Sequence, residues 1–278
     1  KWSIQETELG NAGSKTFTAV FTFGETYKNN YFAEDVEISV TVTRKKINPP
    51  TLSQTEFSYQ EGINQAPTAG DLIGYKAEFP TVAENVGDYY VTITLDTLNY
   101  EWRTAKEDTY TLKYTIKPIA NTEAVTQLPA VYGDVILDKI QLPAGIQGTW
   151  ALKNANGSVV GNNDTFGSAT EHKFVAVFTP DATGNYIART VDVTIAVAKK
   201  AVVITVNGSD IQKDYDGVAV TPPTASADNG ANVIVLINGK APAEVEIKNV
   251  NTYTVTYSYA GDANHLAAEQ KTVVVTIK

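Results

Sequence analysis

The chain has 278 residues, of which 43% are hydrophobic and 19% charged, a composition that supports a folded core. Twenty-two Lys+Arg against 31 Asp+Glu give a formal net charge of −9, which argues against nucleic-acid and anionic-membrane partners. Cys is absent and His172 and His265 are the only histidines, so disulfides, thiolate metal sites and Cys nucleophiles are excluded and acid–base chemistry has few candidates.

In chain order, residues 17–22 form the first β-type run, followed by Asn30-Tyr31 and the alternating run 36–42. Period-two alternation rich in Val, Ile, Thr and Tyr turns one strand face to a core and the other to water. Residues 85–91 and 112–116 bracket a second Asn-aromatic step, Asn99-Tyr100. Then come 174–179, Asn185-Tyr186 and 191–197, and finally 253–259, Asn264-His265 and 272–277. Turn clusters lie between them, such as Asn156-Gly157-Ser158, Asp216-Gly217, Asn229-Gly230 and Asn238-Gly239-Lys240. Asn-Gly and Asp-Gly tolerate the positive φ that tight turns demand. Helix signals are almost absent, and the one compatible stretch, 263–270, reads as a loop. Short strands punctuated by turns about every 8–12 residues predict an all-β sandwich or barrel. No run approaches the roughly 18 apolar residues of a membrane span. The chain opens on Lys1 with no visible leader, as expected of a processed or excised chain.

Self-comparison sets the organisation. Residues 17–22 recur at 174–179, Lys45-Lys46 matches Lys199-Lys200, and Trp2 corresponds to Trp150. A second pair matches 85–91 with 249–255, Asn99-Tyr100 with Asn264-His265, and 112–116 with 273–277. The segments alternate between two types, giving units at 47–118, 119–200 and 201–278. Segment 1–46 lacks the counterpart of 119–148 and is expected to be a partial domain lacking its first strands, either cut inside the domain, which is the favoured reading, or completed by something else. The linkers are short and not Gly/Ser-rich, so closing strands are expected to feed directly into the next unit. At about 3.3 Å per residue, each unit is roughly 30–40 Å long, and an elongated rod of order 100–140 Å is expected.

Few residues present themselves as a site. His265 occupies the position of Tyr31, Tyr100 and Tyr186 and is expected to pack with a polar tip. His172, with no carboxylate or Ser partner at recognisable spacing, is expected to be a solvated surface residue. Tyr253, Tyr257 and Tyr259 share the Val255 face, the predicted core side. Tyr90 falls opposite Tyr89 and is expected to be exposed. Trp102 follows Asn99-Tyr100 in a predicted loop; it is the leading candidate for an exposed aromatic contact, but packing over the sandwich end is the favoured reading. The acidic loops at 181–185 and 261–264 offer few oxygens where calcium takes about six to eight. Asn156, Asn163 and Asn207 begin formal glycosylation sequons in turn-rich segments. No hydrolase, zinc-protease or nucleotide motif occurs. No catalytic, cofactor-binding or metal residue is assigned, no cofactor is expected, and the protein is expected not to be an enzyme.

Tyr89 and Tyr253, in Asn-Val-Gly-Asp-Tyr-Tyr-Val and Asn-Val-Asn-Thr-Tyr-Thr-Val, resemble the tyrosine corner of immunoglobulin-like sandwiches, with Val91 and Val255 where antibody domains place the second Cys. Lys213-Asp214-Tyr215-Asp216-Gly217 resembles the Tyr-Asp-Gly motif of tandem bacterial immunoglobulin-like (MBG-type) repeats of Gram-positive cell-surface proteins. Tyr132-Gly133-Asp134 and Tyr59-Gln60-Glu61-Gly62 are looser versions, and residues 259–265 are similar to the family's Gly-Asp-x-Asn-Tyr step with His265 in the aromatic position. The resemblance covers nearly the whole chain and implies tandem immunoglobulin-like β-sandwiches in an extracellular, cell-surface or cell-wall setting in bacteria. Some such surface domains carry Lys–Asn isopeptide bonds; Lys113 and Lys173 lie among solvent-facing residues, and no such triad is assigned. The implied role is a secreted, monomeric, non-enzymatic stalk, with host or glycan ligands reached through adjoining domains. The alternative is an adhesion or carbohydrate-binding module using Trp102 and Tyr90.

Overall fold

The computed structural model describes residues 1–4, 6, 8–144 and 146–278, and they are nearly all strand and turn. The chain packs as two compact units, one of Lys1–Ala120 with Pro180–Ile187 and one of Asn121–Thr179 with Ala188–Lys278.

In the first unit, β1 (Trp2–Ile4), β2 (Gly13–Phe21) and β3 (Val36–Val42) form an antiparallel sheet. Next come β4 (Lys45–Ile47), β5 (Glu56–Ser58), β6 (Tyr75–Glu78), β7 (Gly87–Leu95), β8 (Tyr100–Trp102) and β9 (Thr109–Lys117). Four of them make a sheet in the order β5-β9-β7-β6, with β5 parallel to the closing strand β9 and the other pairs antiparallel. β4 pairs with β8 in parallel, and β10 (Ile119–Ala120) pairs with β16 (Tyr186–Ile187) in the same way. The expected alternation is realised: Val91, Ile93, Tyr114 and Ile116 are fully buried, while Tyr90, one step out of phase, faces solvent. Each fully buried side chain of this size contributes on the order of 2 kcal/mol relative to exposure.

The second unit holds β11 (Thr126–Gln127), β12 (Ala130–Val131), α1 (Ile136–Lys139), β13 (Ile140–Gln141), β14 (Gly148–Asn154), β15 (Glu171–Pro180) and β17 (Arg189–Ala198). β18 (Ile204–Asn207), β19 (Ile211–Lys213), β20 (Thr224–Ala227), β21 (Ile234–Ile237), β22 (Asn251–Ser258) and β23 (Lys271–Ile277) follow. The strand order of the first unit's four-stranded sheet recurs twice, as β12-β17-β15-β14 and β19-β23-β22-β21. In both, the first strand again lies parallel to the closing strand. The β18-β20 ribbon lays Ile204, Val206 and Ala225 against Tyr253, Val255 and Tyr257, closing a two-layer sandwich. The single-turn helix α1 was not predicted. Its Ile136, with Ile140 just beyond it, is buried in the core under β15 and β17, and the i, i+4 spacing puts both on one face.

The tyrosine corners are present. Tyr89 Oη donates to Asn85 O at 2.8 Å and Tyr253 Oη to Asn249 O at 3.2 Å, each ring anchoring the loop that enters its strand. The fold is all-β, a tandem array of immunoglobulin-like β-sandwiches.

Candidate functional site

Trp102 takes the favoured of its two readings, packing over the sandwich end, whereas His172 is packed more closely than expected. Trp102 lies in β8 rather than a loop, half-buried between Tyr75 and Tyr110 with centroids at 6.0 Å from each, and its Nε1 donates to Glu107 O at 3.1 Å. It covers the end of the core and is not an exposed contact. His172 is not a solvated surface residue: it is half-buried in β15 beside Phe166 and Phe174, and its Nε2 lies 2.9 Å from Ser168 O. Tyr90 is 52% exposed, as expected. Lys113 sits on the surface in an ion pair with Asp88 at 2.7 Å.

The acidic loops spend their oxygens on their own backbone. Asp181 Oδ1 accepts from Thr183 N at 2.9 Å. Asp262 Oδ1 accepts from Asn264 N at 2.7 Å and His265 N at 2.8 Å, while Oδ2 accepts from Tyr259 Oη at 2.7 Å. His265 Nδ1 lies 3.0 Å from the same carboxylate. The Tyr259 hydroxyl, then the His265 ring and the Asn264 amide, hold the Asp262 carboxyl well below the usual carboxylate range.

These turns present the Asn-aromatic steps, and here the structure shows an arrangement that the sequence signalled only as a repeated dipeptide. Asn99 Oδ1 accepts from Ala12 N and its Nδ2 donates to Asn11 Oδ1, both at 3.0 Å. Asn185 repeats this: its Oδ1 accepts from Val86 N and its Nδ2 donates to Asn85 Oδ1, both at 2.8 Å. Asn264 Oδ1 accepts from Ala169 N at 2.9 Å. In each case the Asn, late in one repeat, clasps the loop entering a long strand (β2, β7 or β15) of the preceding repeat. The backbone reinforces the contact: Lys45 N donates to Asn99 O, Ile119 N to Asn185 O and Lys200 N to Asn264 O, at 2.8, 3.1 and 2.9 Å. The chain leaving one repeat therefore pairs in parallel with the Asn-aromatic step of the next, as strands β4 and β10 and as a single bridge at Lys200. The ladder makes Lys45 equivalent to Lys200, one residue off the alignment of Lys45-Lys46 with Lys199-Lys200.

The Tyr-Asp-Gly positions complete the joint. Tyr59, Tyr132 and Tyr215 each donate their backbone N–H to a carbonyl at the end of a closing strand: Lys117 O and Ala198 O at 2.9 Å, and Lys278 O at 2.8 Å. Gly217 holds φ 76°, which a glycine adopts without cost, and Asp216 Oδ1 caps the same turn through Val218 N at 2.9 Å. The Tyr59 ring meets Tyr186 edge-on at 5.8 Å, and Tyr132 meets His265 at 5.1 Å. His265 is thus a packing residue in the aromatic position, as its alignment with Tyr186 predicts.

Two exposed surfaces went unnoticed in the sequence. A groove of about 610 Å³ is lined by Trp2, Ser3, Ile4, Ala19, Val36 and Ile38. The matching face of β15 and β17 is covered by Ile136 and Ile140. Separately, Tyr27, Tyr31 and Phe32 stand exposed in one loop, with the Tyr27 and Tyr31 rings 6.1 Å apart.

Comparison with protein-family models and with curated proteins finds no match. Among solved structures, the N-terminal four Ig domains of Dscam1 isoform 7.44 align at 11% identity over 99% of this chain and 82% of that one, with a TM-score of 0.23. EC1-4 of Drosophila N-cadherin align at 13% identity over 98% and 85%, with a TM-score of 0.23. Domains 1-6 of the surface layer protein SbsC align at 11% identity over 97% and 45%, with a TM-score of 0.24. Scores of this size carry no residue role and no activity to this chain.

Proposed function

We propose that this chain is a non-enzymatic, extracellular spacer, built from repeats of the kind found in Gram-positive bacterial surface proteins, that holds a functional region away from the cell. The observation that carries this is the thrice-repeated Asn clasp. Each junction has a linker paired in parallel with the Asn-aromatic step, as a strand at Lys45–Ile47 and Ile119–Ala120 and as a single bridge at Lys200, and an amide that ties the next repeat to a loop of the last, which leaves little slack between repeats. The Tyr-Asp-Gly resemblance and the absence of Cys support the bacterial surface setting. Small-angle scattering of the full chain tests the proposal. A compact globule of 278 residues would have a radius of gyration of about 19 Å. A monomeric spacer of order 100–140 Å would give about 30 Å or more. A value near the globular one overturns the proposal.

A second reading, an adhesion or carbohydrate-binding module, is favoured by the exposed Tyr27, Tyr31 and Phe32 together with Tyr90. Exposed rings offer faces on which sugars stack. A glycan array separates the two: binding abolished by Phe32→Ala or Tyr90→Ala supports the module, and no binding leaves the spacer.

A further inference from the structure

The junction described above has two halves, a loop-and-tyrosine socket on one repeat and an Asn-aromatic plug on the next. In the socket of residues 47–118, Asn85 and the Val86 N–H engage Asn185 while the Tyr59 ring meets Tyr186. In the socket of residues 119–200, the Ala169 N–H engages Asn264 while the Tyr132 ring meets His265.

The repeat at 201–278 carries the same socket parts. Tyr215 is placed by the same backbone bond to the end of its closing strand that places Tyr59 and Tyr132. Asn249 and Val250 are the same two residue types as Asn85 and Val86, and they stand at the same tyrosine corner, where Tyr253 Oη holds Asn249 O as Tyr89 Oη holds Asn85 O. The difference lies in what covers them. Tyr59 is 3% exposed, whereas Tyr215 is 55% exposed and Val250 63%.

The geometry points to Tyr215, Asn249 and the Val250 amide as a docking socket, and to its occupant as another immunoglobulin-like repeat of this kind presenting an Asn-Tyr step. The Asn side chain would accept from Val250 N and donate to Asn249 Oδ1, and the aromatic ring would meet Tyr215 edge-on. An Asn amide matches both groups in the arrangement seen at Asn85 and Val86, whereas an aliphatic side chain could neither accept from Val250 N nor donate to Asn249. The inference holds whether the array serves as a spacer or as an adhesin.

The test extends the full chain rather than dissecting it. Lys278 is equivalent to Lys117, so appending a second copy of residues 118–200 reproduces the register of the native junction between 47–118 and 119–200. Hydrogen exchange of the Val250 amide is the readout. Gaining one partly buried hydrogen bond is expected to slow it by about tenfold. Asn185→Ala in the added copy should return the rate to that of the unextended chain. A second extension, with another copy of residues 199–278, presents Asn264-His265 to the same socket and gives a reading that does not depend on the folding of the first. Val250 exchanging at its original rate in both extensions overturns the inference, as does slowing that persists in the Asn185→Ala version.

Discussion

The Asn185 amide is the most informative single perturbation. It is 0% exposed, while Asn99 and Asn264, its counterparts, are half-buried. Asn185→Ala removes the two neutral hydrogen bonds of 2.8 Å to the loop of the preceding repeat and leaves the Val86 N–H and the Asn85 side-chain Oδ1 without these partners. A net value near 1 kcal/mol per bond, rising toward 3 for a group left enclosed, places the cost at about 2 kcal/mol. At 1.4 kcal/mol per tenfold, this is roughly a thirtyfold rise in the opening constant of the junction. A chain of several sandwiches does not unfold as one two-state system, so a midpoint of global melting is the wrong readout. Amide exchange at Val86, followed by NMR, reads the junction directly. The expected result is exchange about thirtyfold faster at Val86, with Val255 in the other compact unit unchanged. Asn99→Ala, read at Ala12, should give a smaller effect of about fivefold, because its amide is already partly solvated. A double-mutant cycle of Asn185→Ala with Asn85→Ala should return a coupling of about 0.5–1 kcal/mol. Unchanged exchange at Val86, or equal acceleration at Val86 and Val255, would refute the assignment of these bonds as a local clasp.

Two buried tyrosines should respond oppositely to loss of the hydroxyl. Tyr257 Oη donates to Pro223 O at 2.6 Å, so Tyr257→Phe should cost about 1 kcal/mol in denaturant titrations. Tyr114 Oη is buried without a partner among the described residues, so Tyr114→Phe should be neutral or stabilising to within about 0.5 kcal/mol. Asp262 has its carboxyl held below the usual range, so its contribution is complete above the ordinary carboxylate pKa and is lost as pH falls through the depressed folded value. The Asp262 side-chain carboxyl carbon, followed by NMR, should therefore show no protonation of its own through about pH 4 and move only in stronger acid; protonation at the ordinary carboxylate value would contradict this. Gly261 sits at φ 83°, and a Cβ there would lie 2.8 Å from Ala267 N and 2.9 Å from His265 O. Gly261→Ala should distort the 259–265 turn at a cost of about 1–3 kcal/mol and speed exchange at Ala169; wild-type rates there would show that the turn does not position Asn264.

Much of the fold was legible because β-structure writes a local period into the chain. The alternation in 36–42, 191–197 and 272–277 predicted strands at β3, β17 and β23, and the Tyr253-Val255-Tyr257 phase predicted the buried face of β22. Four-residue α1 was not legible. Its helical turn is held by burial of Ile136 and Ile140 under β15 and β17, and nothing within four residues announces that. His172 was placed too far out and Trp102 in a loop rather than a strand, because their neighbours Phe166, Tyr75 and Tyr110 lie at other points in the chain and contribute nothing to local pattern.

The junction divides the same way. By itself the sequence determined that an Asn-aromatic step and a Tyr-Asp-Gly-like turn recur, since repetition is visible without coordinates. Only the tertiary structure decided what they are for. Asn185 and Asn85 are a hundred positions apart, and their pairing depends on two turns bringing a side-chain amide within 2.8 Å of an N–H and a carbonyl oxygen. Hydrogen bonds are short-ranged and directional, so whether two polar groups meet is a property of the packed chain and not of either segment that carries them.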